Sequence, residues 1–106
     1  MGKPLKICID YDGTYTEDPE LWDAFIRHAK KQAHHLICAT MRYESEDSKN
    51  LQRLSMQCHE THFTGRRAKG PYLAALGITP DIWIDDNPCW ITNDAGDYVP
   101  AQDNDN

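Results

Sequence analysis

The sequence predicts an α/β domain built on a small parallel sheet. Three observations carry that expectation. Short β-type runs alternate with longer helix-type segments along nearly the whole chain, the signature of βαβ units. The apolar runs are close to continuous rather than alternating, as in strands covered on both faces. Three of them end in polar groups, at Asp10, at Thr40 and at Asp85.

The first run, Leu5 to Ile9, is relieved only by Lys6 and reads as a strand. Asp18 then offers an N-cap and Pro19 suits the first helical position. Leu21, Trp22, Phe25, Ile26 and Ala29 form the stripe of an amphipathic helix behind them. A second strand covers Leu36 to Ala39 and ends at Thr40. Ser45 is expected to cap the next helix, with Glu46 and Asp47 in its first turn and Leu51, Leu54 and Cys58 on its buried stripe.

A weaker third strand, Thr61 to Thr64, leads into Gly65-Arg66-Arg67-Ala68-Lys69. The helix after it places Pro71 early, packs Tyr72, Leu73 and Leu76, and stops at Gly77. Ile82-Trp83-Ile84 is the fourth strand, followed by Asp85-Asp86-Asn87-Pro88. Trp90-Ile91 and Tyr98-Val99 are expected to form a short edge pair. Trp22, Phe25 and Trp83 are read as core.

At 106 residues the chain has the size of one domain. Residues 1–100 are expected to form it, with 101–106 a flexible acidic tail. Net charge is −6 with a pI of about 5.2, which argues against an extended nucleic-acid surface. No apolar run approaches the roughly 18–20 residues of a membrane helix, and the first residues lack the apolar block of a signal peptide. A cytoplasmic protein with no membrane partner is the expectation. Cys8 and Cys38 lie inside apolar strands, where thiols act as small hydrophobes in the reduced state.

In open parallel sheets, ligands bind beyond the carboxyl ends of the strands. Asp10, Asp12, Thr40, Asp85 and Asp86 all stand there, with Lys69 opening the helix before the fourth strand. Two carboxylates about 5 Å apart repel by roughly 3 kcal/mol at an effective dielectric near 20, so a cation must offset the cluster. A few oxygen ligands with open positions suit Mg²⁺ better than a many-liganded Ca²⁺ cage.

Asp10-Tyr11-Asp12-Gly13-Thr14 resembles the first motif of the haloacid dehalogenase (HAD) superfamily of phosphohydrolases. Thr40, Lys69 and Asp85-Asp86 stand in the order of that family's later motifs, and the likeness spans about Leu5 to Pro88. It implies a three-layer, Rossmann-like domain whose first strand lies between the second and the fourth. By the resemblance Asp10 is the nucleophile, forming an aspartyl-phosphate, and Asp12 is the general acid and base. Mg²⁺ takes Asp10, the main-chain carbonyl of Asp12 and Asp86, with Asp85 held through water or to Lys69. Thr40 and Lys69 hold the phosphoryl group, and Gly13 lets the backbone turn close to it.

The family often carries a cap domain. Here only Tyr15 to Asp18 separate Thr14 from the first helix, and the interval from Thr40 to Lys69 holds little more than one helix and one strand. The resemblance is therefore to a minimal, capless type with an open site, suited to a phosphorylated substrate, small or polymeric, or to closure by a second copy of the chain.

Arg42, two residues after Thr40, and Arg66 are candidate substrate-binding groups, with Arg67 beside them. His59-Glu60-Thr61-His62 departs from HExxH, since its histidines stand three apart rather than four. Adjacent Cys58, with His34 and His35 elsewhere in the chain, raises a zinc site as a minor alternative. Two rival functions remain. A signalling receiver domain also uses an aspartyl-phosphate, Mg²⁺, a Thr and a Lys, but in that family the acidic pair follows the first strand and a lone Asp the third. The other rival is a silent, phosphate- or Mg²⁺-binding module.

Overall fold

The computed structural model describes residues 2–102, and the expected tail falls outside them from 103 onward. Four parallel strands, β1 (Lys6–Ile9), β2 (His35–Thr40), β3 (Glu60–Phe63) and β4 (Ile82–Ile84), form one sheet in the order β3-β2-β1-β4. The first strand therefore lies between the second and the fourth, as expected. Four helices accompany them: α1 (Pro19–Lys31), α2 (Lys49–Gln57), α3 (Lys69–Ala75) and α4 (Cys89–Thr92).

Alternation along the strands sorts side chains to two faces. Ile7, Ile9, Leu36 and Cys38 pack with Ile26 and Ala29 of α1 and Leu51 and Leu54 of α2. Cys8, Ile37 and Ala39 pack with Leu73 of α3. Helices on both faces exclude water from the central strands, which is why β1 and β2 are apolar at almost every position. All four cysteines are free thiols, and burial pushes that of Cys8 up to about 12.

The α1 cap is as expected: the Asp18 side chain accepts from Leu21 N–H at 3.2 Å, and Pro19 opens the helix. Asp23 of α1 accepts from Arg53 and from Gln57 of α2, tying the two helices together. Two expectations are corrected. Ser45 lies inside a 3₁₀ turn, Glu44–Glu46, where the Tyr43 N–H donates to the Glu46 side chain at 2.8 Å. Ser48 caps α2 instead, accepting from Leu51 N–H at 3.1 Å, because the polar stretch closes a turn of its own first.

The edge pair is also absent: Trp90 and Ile91 lie within α4, and Tyr98-Val99 is not a strand. Pro88 already holds φ at −59°, which starts a helical turn. That turn seats closely on α3, since a Cβ at Gly70 would stand 2.9 Å from the Ile91 carbonyl oxygen.

Register positions the site. Ile9 pairs with Cys38 on one side and with Ile84 on the other, so β1, β2 and β4 run out at nearly the same level. Asp10, Thr40 and Asp85 consequently emerge along one edge of the sheet. Among the described residues no helix is long and apolar enough to cross a membrane.

Candidate functional site

Asp10 still takes part in the sheet edge, its N–H donating to the Ile84 carbonyl at 2.9 Å. The chain leaves extended geometry at Tyr11, whose carbonyl accepts from Thr14 N–H and Thr16 N–H. In a continuing strand Asp10 and Asp12 would share a face. The turn sends their carboxylates to different partners.

The Asp10 carboxylate meets the Lys69 ammonium at 2.6 Å, and the same ammonium meets Asp85 at 2.7 Å. Lys69 is 1% exposed and Asp10 5%. Burial alone would lower the Lys69 pKa, but Asp10 and Asp85 outweigh it and hold the ammonium above its ordinary value. That compensation accounts for a lysine in the first turn of α3, against the helix dipole. Asp85 is further fixed by accepting from Asn87 N–H at 2.9 Å.

Asp86 lies on the open side. It is exposed, and its carboxylate is approached by the Thr14 hydroxyl at 3.2 Å, while its own N–H donates to that hydroxyl at 3.1 Å. The Thr14 hydroxyl also stands 3.3 Å from Asp10. Gly13 has φ +85°, and a Cβ there would collide with the Asp86 carboxylate. Glycine serves both needs: it admits the turn and leaves room for the acid.

Asp10, Asp85 and Asp86 each offer an oxygen within 4.8 Å of the others, the single such metal-capable group among the described residues. Three carboxylates face one ammonium there. Burial, reinforced by Asp85 and by a hydrogen bond to Asp86, pushes the Asp10 carboxyl well above the usual carboxylate range against the pull of Lys69. The cluster is short of positive charge, its donors are all hard oxygens, and its exposed edge leaves access. These features fit a small divalent cation.

Asp12 faces elsewhere. Arg42 grips it with two nitrogens, Nη2 at 2.8 Å from Oδ1 and Nε at 3.0 Å from Oδ2, with both side chains buried. Arg42 also lies 4.9 Å over the Tyr11 ring and donates to the Glu46 carbonyl at 2.7 Å. The Ala101 N–H completes the arrangement, donating to Asp12 Oδ1 at 2.9 Å. The Asp12 carboxylate is no member of the acidic cluster.

The remaining expected residues fall in two groups. Thr40 is fully buried beside the site, its hydroxyl accepting from the Arg42 N–H at 3.2 Å. Arg66 pairs with Glu46 at 2.6 Å and lies between the Tyr43 and Tyr98 rings. Both arginine forks are thus occupied by carboxylates of the chain itself. The histidine stretch is satisfied internally: His35 and His62 both contact Glu60, and the His59 ring accepts from Leu36 N–H.

Sequence reasoning passed over Thr14 as a site residue, and Tyr98 and Ala101 as neighbours that pack beside the site. The position of Thr14 next to Gly13 in the same turn was a signal for the first. Nothing local marks the other two. No family model, curated protein or solved structure matches the chain.

Proposed function

We propose that the chain is a Mg²⁺-dependent phosphohydrolase of the HAD type, working through an aspartyl-phosphate on Asp10. The observation that carries this reading is the buried Asp10–Lys69–Asp85 triad with exposed Asp86 beside it. A carboxylate at a strand end, neutralised by a lysine and bordered by an exposed acid, suits an attack on phosphorus.

Asp10, Asp86 and the Asp12 main-chain carbonyl would hold the ion, with Asp85 bound to Lys69. Bound there, Mg²⁺ supplies charge neutralisation and orientation for the phosphoryl oxygens. The chain's own residues do the rest. An Asp10 oxygen attacks phosphorus as the bond to the leaving oxygen breaks, and Asp12 gives that oxygen its proton. Water then attacks the phosphorus of the aspartyl-phosphate, Asp12 takes the water's proton, and inorganic phosphate leaves with Asp10 regenerated. Lys69 stabilises charge on the nucleophile and the phosphoryl group, and its burial makes it more effective. Thr14 orients Asp10 and Asp86. Thr40, which lines the edge, offers its hydroxyl to the phosphoryl group. The substrate class is a phosphomonoester: a nucleotide, a polynucleotide end or another phosphorylated molecule.

One observation favours a second reading. The Asp12 carboxylate is engaged by Arg42 and Ala101, as in a module that binds Mg²⁺ or phosphate without turnover. A single assay separates the two. Phosphate release from p-nitrophenyl phosphate in Mg²⁺ is expected from the wild type, with a loss on the order of 10⁴-fold in Asp10→Asn. Asp12→Asn is expected to be about as damaging. Inactivity of the wild type across a panel of nucleotides and small phosphate esters would overturn the hydrolase and leave the binding module.

A further inference from the structure

The chain returns to its own site after α4. Asp94 accepts from the Ala68 N–H at 2.7 Å, and the Ala95 N–H donates to the Arg66 carbonyl at 2.8 Å, with the Ala95 side chain buried. These contacts anchor the returning segment at the loop before α3. Gly96 and Asp97, exposed, follow, and a Cβ at Gly96 would meet nothing within 4 Å. Beyond them Tyr98 lays its ring over the Arg66 guanidinium, 5.4 Å away, and edge-on to Trp90. Val99 is 82% exposed, so the segment is held by Tyr98 and by backbone. Ala101 then closes it, its N–H on Asp12 Oδ1 at 2.9 Å and its carbonyl accepting from Arg42 Nη2 at 3.0 Å.

A carboxylate offers about four acceptor positions. At Asp12 the Arg42 fork and the Ala101 N–H take three of them. An acid or base must come within about 2.6–3.2 Å of the oxygen it serves. Held this way, Asp12 Oδ1 is taken by both Arg42 and Ala101, and Oδ2 lies in the same Arg42 fork. Across exposed Gly96 and Asp97 the Tyr98 N–H donates to the Ala95 carbonyl at 2.9 Å, and beyond this turn the outer part makes no strand pairing, so it can swing without disturbing the sheet.

We propose that Tyr98–Ala101 is a strap that covers Asp12 and Arg42 in the resting protein and is displaced by a phosphoryl-bearing ligand, so that the chain carries its own cover in place of a cap domain. This rests on the phosphohydrolase reading for its consequence, since displacement frees Asp12 to move a proton and frees an Arg42 nitrogen for the ligand. The strap is thereby a control on rate: the fraction of molecules in which it is open limits the fraction that can react.

The decisive variant is Ala101→Pro in the full chain, which removes the one N–H that the strap gives to Asp12 and leaves every charged residue in place. Ala101→Ser, which keeps the N–H, is its control. Phosphate release from p-nitrophenyl phosphate in Mg²⁺ is expected to rise about fivefold or more in Ala101→Pro, the shift that loss of one ordinary hydrogen bond supplies, and to stay unchanged in Ala101→Ser. Where the wild type releases phosphate, equal or lower activity in Ala101→Pro with an unchanged melting temperature overturns the strap. A second measurement reads the strap without turnover: residue-resolved amide exchange at Ala101 of the wild type, alone and in saturating Mg²⁺ with inorganic phosphate. Protection that is present alone and lost with phosphate supports the strap; protection retained overturns it. Should no chain release phosphate while that protection is lost, the hydrolase reading falls and the strap stands.

Discussion

Asp10 and Asp12 are separated by a single residue, and their surroundings differ in almost every respect that decides what a carboxylate can do. Asp10, itself buried, shares one ammonium with Asp85 and has the exposed carboxylate of Asp86 nearby. Asp12 has a guanidinium of its own, a backbone N–H and a closed pocket. The first site is short of positive charge. The second is balanced within the chain. A turn at Tyr11 and Gly13 is enough to separate them, so chemical identity and nearness in sequence say little about environment.

That contrast can be broken at several points. The largest effect on stability is expected at the balanced site: Arg42→Ala leaves Asp12 buried and unpaired and should cost about 3–5 kcal/mol, read from urea unfolding midpoints. A loss below about 1 kcal/mol would mean that the pair is solvated and that Asp12 is free. The charge-poor site should respond to metal instead. Mg²⁺ at a hundred times its dissociation constant should stabilise the wild type by about 2.7 kcal/mol, and far less in Asp86→Asn. An equal melting shift in both chains would place the ion elsewhere.

The smallest effect lies at the opposite end of the strands and serves as the reference. Hydrogen bonds from His35, then His62, hold the Glu60 carboxyl below its ordinary 4.5. As pH falls below that value the unfolded chain takes up the proton first, so the stability that Glu60 adds is present above about pH 4.5 and lost as pH drops through its lowered value. The melting difference between wild type and Glu60→Gln should therefore narrow in acid. A difference that persists there would assign it to packing rather than charge.

Much of the architecture is legible along the chain because it depends on local patterns. Continuous apolar runs require covering on both faces, and a Pro after an Asp marks where α1 begins, so strands and helices can be placed from residue type alone. The misplacements occur where two local signals compete. Ser45 and Ser48 are equally good caps on paper, and only the 3₁₀ turn closed by Glu46 decides between them. Trp90, Ile91, Tyr98 and Val99 have strand composition, yet a helical turn seated on Gly70 of α3 claims the first two.

The candidate site divides in the same way. That Asp10, Thr40, Lys69, Asp85 and Asp86 belong to one edge of one sheet could be read from the sequence, because parallel strands with helical crossovers bring every strand end to the same side. Which carboxylate meets which cation could not. Lys69 reaches Asp10 and Asp85 across separations of 59 and 16 residues, and Arg42 reaches Asp12 across 30. The return of Ala101 to Asp12 spans 89 residues and rests on a backbone N–H, a group every residue but proline possesses. Residue chemistry and periodicity determined the elements and their polar ends; the assignment of charges to partners, and the cover over Asp12, came only with the packed chain, because long-range pairing is selected by three-dimensional proximity and burial, for which the linear sequence carries no local mark.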